Sequence, residues 1–192
     1  MFFWKDVNLF PEKNKKRVRW DGRKGERTMR QTEQLIHPLD PVFSEQSEIL
    51  ILGSFPSEAS RSAGFYYGNP RNRFWATVAT VFGEAVPGTT EERRELILRN
   101  RLALWDVIAS CTIRGSADSE IGDVVPNDLS VILRAAPVRR ILINGKTAER
   151  YYRKFQLPVT RIEPIVLPST SPANAAWSGE RLAGVWGRAL KE

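Results

Sequence analysis

Between Gly53 and Trp75 the chain gathers the side chains best equipped to do chemistry: Tyr66 and Tyr67, Asn69 and Asn72, Arg71 and Arg73, broken up by Gly64, Gly68 and Pro70. Tyrosine rings offer flat faces for stacking, asparagine amides both donate and accept hydrogen bonds, and guanidinium groups grip phosphate. Held together in one Gly- and Pro-punctuated loop, these groups suit the capture of a nucleobase and its flanking backbone. The loop also starts in the right place. It follows Ile49-Leu50-Ile51-Leu52, an aliphatic run bounded by Gly53 and Pro56 that reads as a strand covered on both faces. Ligands of open α/β sheets collect just past the carboxyl ends of such strands.

The elements that must position this loop alternate along the chain. Residues 48–52 form the first strand. Residues 73–82 read as a helix with Phe74, Val78, Val81 and Phe82 on one side, closed by Gly83 as a C-cap. Thr89-Thr90-Glu91-Glu92 opens a second helix that runs to Asn100, and residues 102–108 read as the next strand, followed by a polar loop over 111–121. Residues 128–135 form a helix, 140–143 a strand, 146–155 a helix, and 162–167 closes the sheet. Strand-helix alternation with short links predicts a three-layer α/β/α sandwich around a central, mainly parallel sheet of about four strands.

Residues 1–28 differ in character: nine basic against four acidic residues and no apolar periodicity, so this segment carries +5 of the formal charge of +7. It reads as a flexible basic leader, either a DNA-tethering arm or a segment without chemistry, ahead of a single domain over 29–192. Since the body is only weakly basic, nucleic-acid binding must rest on local clusters, for which Arg71-Arg73 and Arg139-Arg140 are candidates. Cys111 is the lone cysteine and His37 the lone histidine, so no internal disulfide and no ordinary zinc or iron-sulfur ligand set can form. Neither metal nor cofactor is expected. No run of about 18 apolar residues occurs, and the apolar start Met1-Phe2-Phe3-Trp4 lacks the anatomy of a signal peptide, so no membrane partner and a cytoplasmic, monomeric protein are expected.

Four stretches carry a family resemblance. Gly53-Ser54-Phe55-Pro56 followed by Gly64-Phe65-Tyr66-Tyr67-Gly68-Asn69-Pro70-Arg71-Asn72-Arg73-Phe74-Trp75 resembles the first motif of the uracil-DNA glycosylase superfamily, particularly its mismatch-specific branch. Ile143-Asn144-Gly145-Lys146 resembles a late strand-to-helix turn of that superfamily, and Leu167-Pro168-Ser169-Thr170-Ser171-Pro172-Ala173-Asn174-Ala175 its minor-groove loop. With Leu104-Trp105-Asp106-Val107-Ile108, the wording is most similar to the hypoxanthine-DNA glycosylase (deoxyinosine glycosylase) family, over roughly residues 34 to 190. The resemblance implies a monofunctional enzyme that flips a deaminated base out of DNA and hydrolyses its N-glycosidic bond, with DNA as partner. A uracil or thymine mismatch glycosylase, or a nucleic-acid-binding member of the fold without catalysis, are the other readings.

It also implies roles. Gly53, Ser54 and Phe55 line the base pocket, and Tyr67 falls where the mismatch-specific branch places an aromatic under the base; Tyr66 reads equally well as core. The superfamily usually offers Asp or Asn two residues beyond Gly53, whereas this chain has Phe55, whose ring cannot orient water. The catalytic amide must then come from elsewhere, and Asn72 is the choice, although the same side chain can cap the helix beginning near Arg73. Asp106 ends the second strand at a base-reading position, where the carboxyl donates to the base if neutral or accepts from N1–H of hypoxanthine if ionised, a role in recognition rather than proton transfer. Asn144 reads either as a base contact or as half of an Asn-Gly turn. Ser57, Arg71, Lys146, Ser169, Thr170, Ser171, Ala173 and Asn174 are the DNA-binding candidates, with 172–174 as the wedge.

Overall fold

A computed structural model describes residues 32–114 and 121–191, so the expected leader lies outside the described residues. In chain order the strands are β1 (Thr32–Ile36), β2 (Ile49–Gly53), β3 (Leu102–Asp106), β4 (Ile108–Arg114), β5 (Ile121–Pro126), β6 (Arg140–Asn144) and β7 (Ile165–Leu167). The helices are α1 (Glu58–Ala63), α2 (Phe74–Phe82), α3 (Thr90–Arg99), α4 (Ser130–Leu133), α5 (Lys146–Tyr151), α6 (Leu157–Thr160) and α7 (Gly179–Lys191). Four parallel strands in the order β3-β2-β6-β7 make the central sheet. Every position of β2 and β3 is buried, which requires cover on both faces, so the expected three-layer sandwich is the fold observed. Register sets Gly53 opposite Asp106 and Leu52 opposite Ile143, bringing the carboxyl ends of β2, β3 and β6 level with one another.

The local signals explain most of the helices. Gly83 caps α2 with φ +70°, and its N–H donates to the Ala79 and Thr80 carbonyls. α3 begins with a reciprocal capping box, in which the Thr89 hydroxyl accepts from the Glu92 N–H while the Glu92 carboxylate accepts from the Thr89 N–H. Those two acceptor bonds from the backbone of Thr89 and Gly88 hold the Glu92 carboxyl below the usual carboxylate range.

Several boundaries need correction. Of the polar loop expected over 111–121, residues 111–114 belong to β4 and residue 121 to β5, which join β1 in a second, antiparallel sheet ordered β1-β4-β5, while 115–120 lie outside the described residues. Register shifts between Ile108 and Ser110 and between Ser110 and Thr112 break the two-residue alternation of β4, so no strand periodicity shows in the sequence. The second strand ends at Asp106 rather than at residue 108, and the chain crosses between the sheets by Val107 N–H donating to the Gly53 carbonyl (2.9 Å) and Ile108 N–H to the Ser54 carbonyl (3.1 Å). The helix expected over 146–155 passes from α5 through a π turn, Tyr152–Gln156, into α6. That turn aims the Gln156 amide at the Asn127 carbonyl (2.6 Å), and the Asn127 amide in turn donates to the Asp106 carbonyl (2.9 Å).

α7 was not expected from the sequence. Leu182, Trp186 and Leu190, spaced four apart, are its buried face, and Trp186 meets the ring of Phe74 edge-on at 5.7 Å, fixing α7 against α2. Trp186 also donates through Nε1 to the Pro168 carbonyl (3.1 Å), which anchors the start of the loop after β7. At the sheet's margins, Val42 and Leu104 exchange two backbone bonds (2.8 and 2.9 Å) along the free side of β3, and β7 is only three residues long between Pro164 and Pro168.

Candidate active site

The site is built where β2, β3 and β6 end. Gly53 closes β2 with no room for a side chain: a Cβ there would lie 2.3 Å from Asp106 Oδ1 and 3.4 Å from the Tyr67 hydroxyl. Glycine is thus required by close approach, and its absence of bulk lets a carboxylate from β3 and a phenol from the following loop meet over one point. Asp106 is buried, and its Oδ2 pairs with His37 Nε2 at 2.9 Å. The Leu39 N–H donates to His37 Nδ1 (3.2 Å), so the ring carries its proton on Nε2 and donates it to Asp106. Among the described residues Oδ1 has no donor, and it remains the open acceptor of the site.

Tyr67 follows two buried aromatics. Phe65 and Tyr66 are core, the Tyr66 hydroxyl donating to the Asp40 carbonyl (2.9 Å). Tyr67 itself takes φ +52°, a left-handed conformation costly for a bulky residue, and its ring stacks on Phe74 at 3.9 Å. Its hydroxyl accepts from Asn144 Nδ2 (3.0 Å). Burial first, and the nearby Asp106 charge second, raise the Tyr67 pKa well above the usual phenol value, so the hydroxyl keeps its proton and can donate it. Asn144 is fully committed: Nδ2 donates to Tyr67 and to Thr170 Oγ1 (both 3.0 Å), and Oδ1 accepts from the Thr170 N–H (3.0 Å). The amide therefore braces Tyr67 against the loop after β7, with both of its N–H donors engaged. Tyr67→Phe is expected to lower stability by about 1 kcal/mol, the net worth of one such bond, read as a fall in thermal midpoint; an unchanged midpoint would show that the bond adds nothing.

Asn72 stands at the entrance to α2, half-buried, with Oδ1 accepting from the Phe74 N–H (3.0 Å) and its backbone N–H donating to the Asn69 carbonyl (2.8 Å). This is an Asx turn leading into α2, whose N-cap is Arg73 and carries no side-chain cap bond. It leaves the amide nitrogen without an acceptor among the described residues and one lone pair on Oδ1 still open. The next residue ties this turn to the loop after β7. Arg73 N–H donates to the Thr170 carbonyl (3.1 Å), and its guanidinium donates to the carbonyls of Thr170 (3.4 Å), Ser171 (2.6 Å), Asn174 (3.0 Å) and Trp177. A planar fork of five donors is what such a ring of carbonyls requires.

The surface candidates divide accordingly. Arg71 and Arg139 are exposed, but Arg73 faces the loop and Arg140 donates to the Ala189 carbonyl (2.9 Å), so of the two arginine pairs only one member each faces solvent. Thr170 is fully buried and its hydroxyl and backbone serve Asn144 and Arg73, which corrects its expected place on the DNA-facing surface. Ser169 supports the Ser171 N–H through Oγ (3.2 Å) and lies against Gly145, where φ +94° and a Cβ clash at 2.8 Å both demand glycine. Asn174 turns back to donate to the Ser169 carbonyl (2.9 Å), so the exposed tip of the loop is Ala173, Ala175 and Ala176 rather than the 172–174 wedge. Ser57 caps α1 and is exposed; Lys146 is exposed and paired with Glu149 (2.8 Å). Ser54 and Phe55 are half-buried beside Gly53, with the Phe55 ring edge-on to His37 at 5.8 Å. His37 was not foreseen as part of the site; a lone histidine 69 positions from its carboxylate leaves no local signature.

Residues 41–188 match the family model of the uracil DNA glycosylase superfamily. The chain belongs to the uracil DNA glycosylase superfamily. It is 41% identical over 145 residues to a hypoxanthine DNA glycosylase of Methanosarcina acetivorans, spanning 73% of this chain and 89% of that protein. It is 35% identical over 156 residues to the hypoxanthine DNA glycosylase of Methanosarcina barkeri, spanning 79% and 95%. A solution NMR structure of a candidate uracil DNA glycosylase from Methanosarcina acetivorans superposes with a TM-score of 0.70 at 38% identity, covering 82% of this chain and 98% of that one. Both the recognition and the fold expected from the sequence agree with these findings. Asp106, Tyr67 and Gly53 converge past the carboxyl ends of β2 and β3, where ligands of open α/β sheets collect. No helix among the described residues is long and apolar enough to cross a membrane.

Proposed function

We propose that this chain is a DNA-repair glycosylase that releases hypoxanthine from DNA and leaves an abasic site. The reading is carried by the open Asp106 carboxylate oxygen over Gly53, an acceptor placed for the N1–H that deamination of adenine creates. The two relatives named hypoxanthine DNA glycosylase, at 41% and 35% identity, support the same substrate. A base inside a duplex hides its glycosidic bond, so the nucleotide turns out of the stack into the space beyond β2, β3 and β6. As the C1′–N9 bond breaks, its electron pair goes to the base and positive charge grows on the sugar; water adds at C1′, and the proton it gives up passes through solvent to the departing base anion, which leaves as neutral hypoxanthine. An amide cannot take that proton, but the Asn72 carboxamide can hold the water and place its dipole toward the sugar. Phe55 stands where the superfamily's usual water-holding side chain would be, which leaves this task to Asn72. The Tyr67 hydroxyl, kept protonated, donates to the base carbonyl and eases its departure as an anion. Arg71, Ser57, Lys146 and the Ser169–Ser171 turn form the edge along which the backbone of a monomer's DNA substrate runs, with Ala173, Ala175 and Ala176 entering the gap.

Duplexes carrying deoxyinosine, deoxyxanthosine or deoxyuridine, treated with the protein and then with alkali, test this directly. Strand scission is expected first and fastest at deoxyinosine. Faster scission at deoxyuridine would make the chain a uracil glycosylase, and binding to every duplex without scission would leave a DNA-binding protein without catalysis.

A further inference from the structure

We propose that His37 is a positioning residue that sets base specificity: it holds Asp106 as a hydrogen-bond acceptor and so confines excision to bases presenting a lactam edge, a ring N–H beside a carbonyl. The inference rests on the proposed glycosylase activity and goes beyond it, since it concerns how the parent base is refused.

The geometry is restrictive at every step. The His37 and Asp106 side chains are 3% and 6% exposed, so water does not substitute for either partner. Nδ1 is occupied by the Leu39 N–H (3.2 Å), and the His37 N–H is itself bound to the Ala109 carbonyl (2.7 Å), which fixes the backbone of residue 37 beside β4. The ring is wedged between Phe55 (5.8 Å, edge-on) and Tyr66 (6.2 Å). With Nδ1 taken, the imidazole has one proton to offer, on Nε2, and one place to put it, Asp106 Oδ2 at 2.9 Å. That donor occupies one carboxylate oxygen and fixes the plane of the carboxylate, which leaves the other oxygen to accept. The second oxygen, Oδ1, is then an acceptor over Gly53, beside a Tyr67 hydroxyl whose oxygen accepts from Asn144 and whose proton remains to be given.

An acceptor next to a donor is the complement of N1–H beside O6 in hypoxanthine. Adenine offers the reverse, a bare N1 beside an N6 amino group, and would set lone pair against lone pair and N–H against O–H. Such a mismatch in a dry site rejects a base far more strongly than a missing methyl group would. Without that bond the carboxyl group could turn, and no single oxygen would be held over Gly53 to read the base edge. His37 removes that freedom.

The test uses the full chain and four variants, H37F, H37Q, D106N and the double variant H37F/D106N, in single-turnover excision on duplexes with deoxyinosine or with adenine at the same position. H37F keeps a ring and removes the donor; the expected loss is about 10- to 100-fold in kcat on deoxyinosine, the size of one charge-assisted bond, with KM for the duplex unchanged. H37Q retains an N–H donor and is expected to recover most of that loss. On the D106N background H37F is expected to add nothing, because its effect passes through the carboxylate. Should H37F not fold, H37M supplies the same comparison without a ring. Wild-type kcat in H37F or H37M, no recovery in H37Q, or additive losses in the double variant would each overturn the proposal while leaving the glycosylase in place. A wild-type chain that releases no base from any duplex removes the activity, and this inference with it.

Discussion

Asn72→Ala is expected to slow release of hypoxanthine by about 10²- to 10⁴-fold, the range lost when a group that positions a reacting water is removed, while the duplex stays bound. Two effects of the substitution must be separated. Asn72 Oδ1 accepts from the Phe74 N–H, so alanine also removes the Asx-turn bond at the start of α2 and lowers stability by about 1 kcal/mol. Asn72→Asp keeps the oxygen that accepts from Phe74 and replaces the amide nitrogen with a second carboxylate oxygen. If the amide as a whole steers the water, both variants lose turnover but only alanine lowers the thermal midpoint. Single-turnover scission after alkali, read beside duplex affinity and thermal denaturation, distinguishes the cases. Full turnover in the folded alanine variant would move the catalytic role away from Asn72.

Arg73→Met is expected to be nearly as damaging, although the side chain does not touch the base. Its guanidinium gathers the carbonyls of Thr170, Ser171, Asn174 and Trp177, and removing it leaves them without their shared donor at a cost of about 2 to 5 kcal/mol. The loop after β7 then loses its hold on the turn that carries Asn72, and excision is expected to fall by about 100-fold, as misplacement of a remote support does. Arg73→Lys should not restore it, because a single ammonium cannot reach four acceptors set around a plane. A fluorescent base analogue placed beside deoxyinosine reports eversion, and its signal is expected to drop in both variants. Lysine behaving as arginine does would mean that charge alone matters there.

How much of this was legible in the sequence follows from the range of each interaction. β2 showed itself through Ile49-Leu50-Ile51-Leu52, α2 through its terminal Gly83, and α3 through Thr89 and Glu92, all signals confined to a few neighbouring residues. β4 stayed hidden because its shifted register destroys alternation, and α7 because three glycines and several charges mask the Leu182, Trp186 and Leu190 stripe. The site divides the same way. Gly53, Tyr67 and Asp106 were found from loop chemistry and family wording. The bonds that give them meaning join Asn144 to Tyr67, Arg73 to Thr170 and His37 to Asp106, and each spans dozens of positions. Arg73 accordingly read as one more cation for phosphate until its carbonyl partners were seen.

The closure of the sheet's two margins bears on how this protein behaves in a crowd. Val42 bridges the middle of the outer rim of β3 at Leu104, and β7 is three residues long between Pro164 and Pro168, which leaves little rim to recruit a foreign strand. The central sheet therefore leaves a second copy little backbone to pair with, and its strand ends are kept for the substrate.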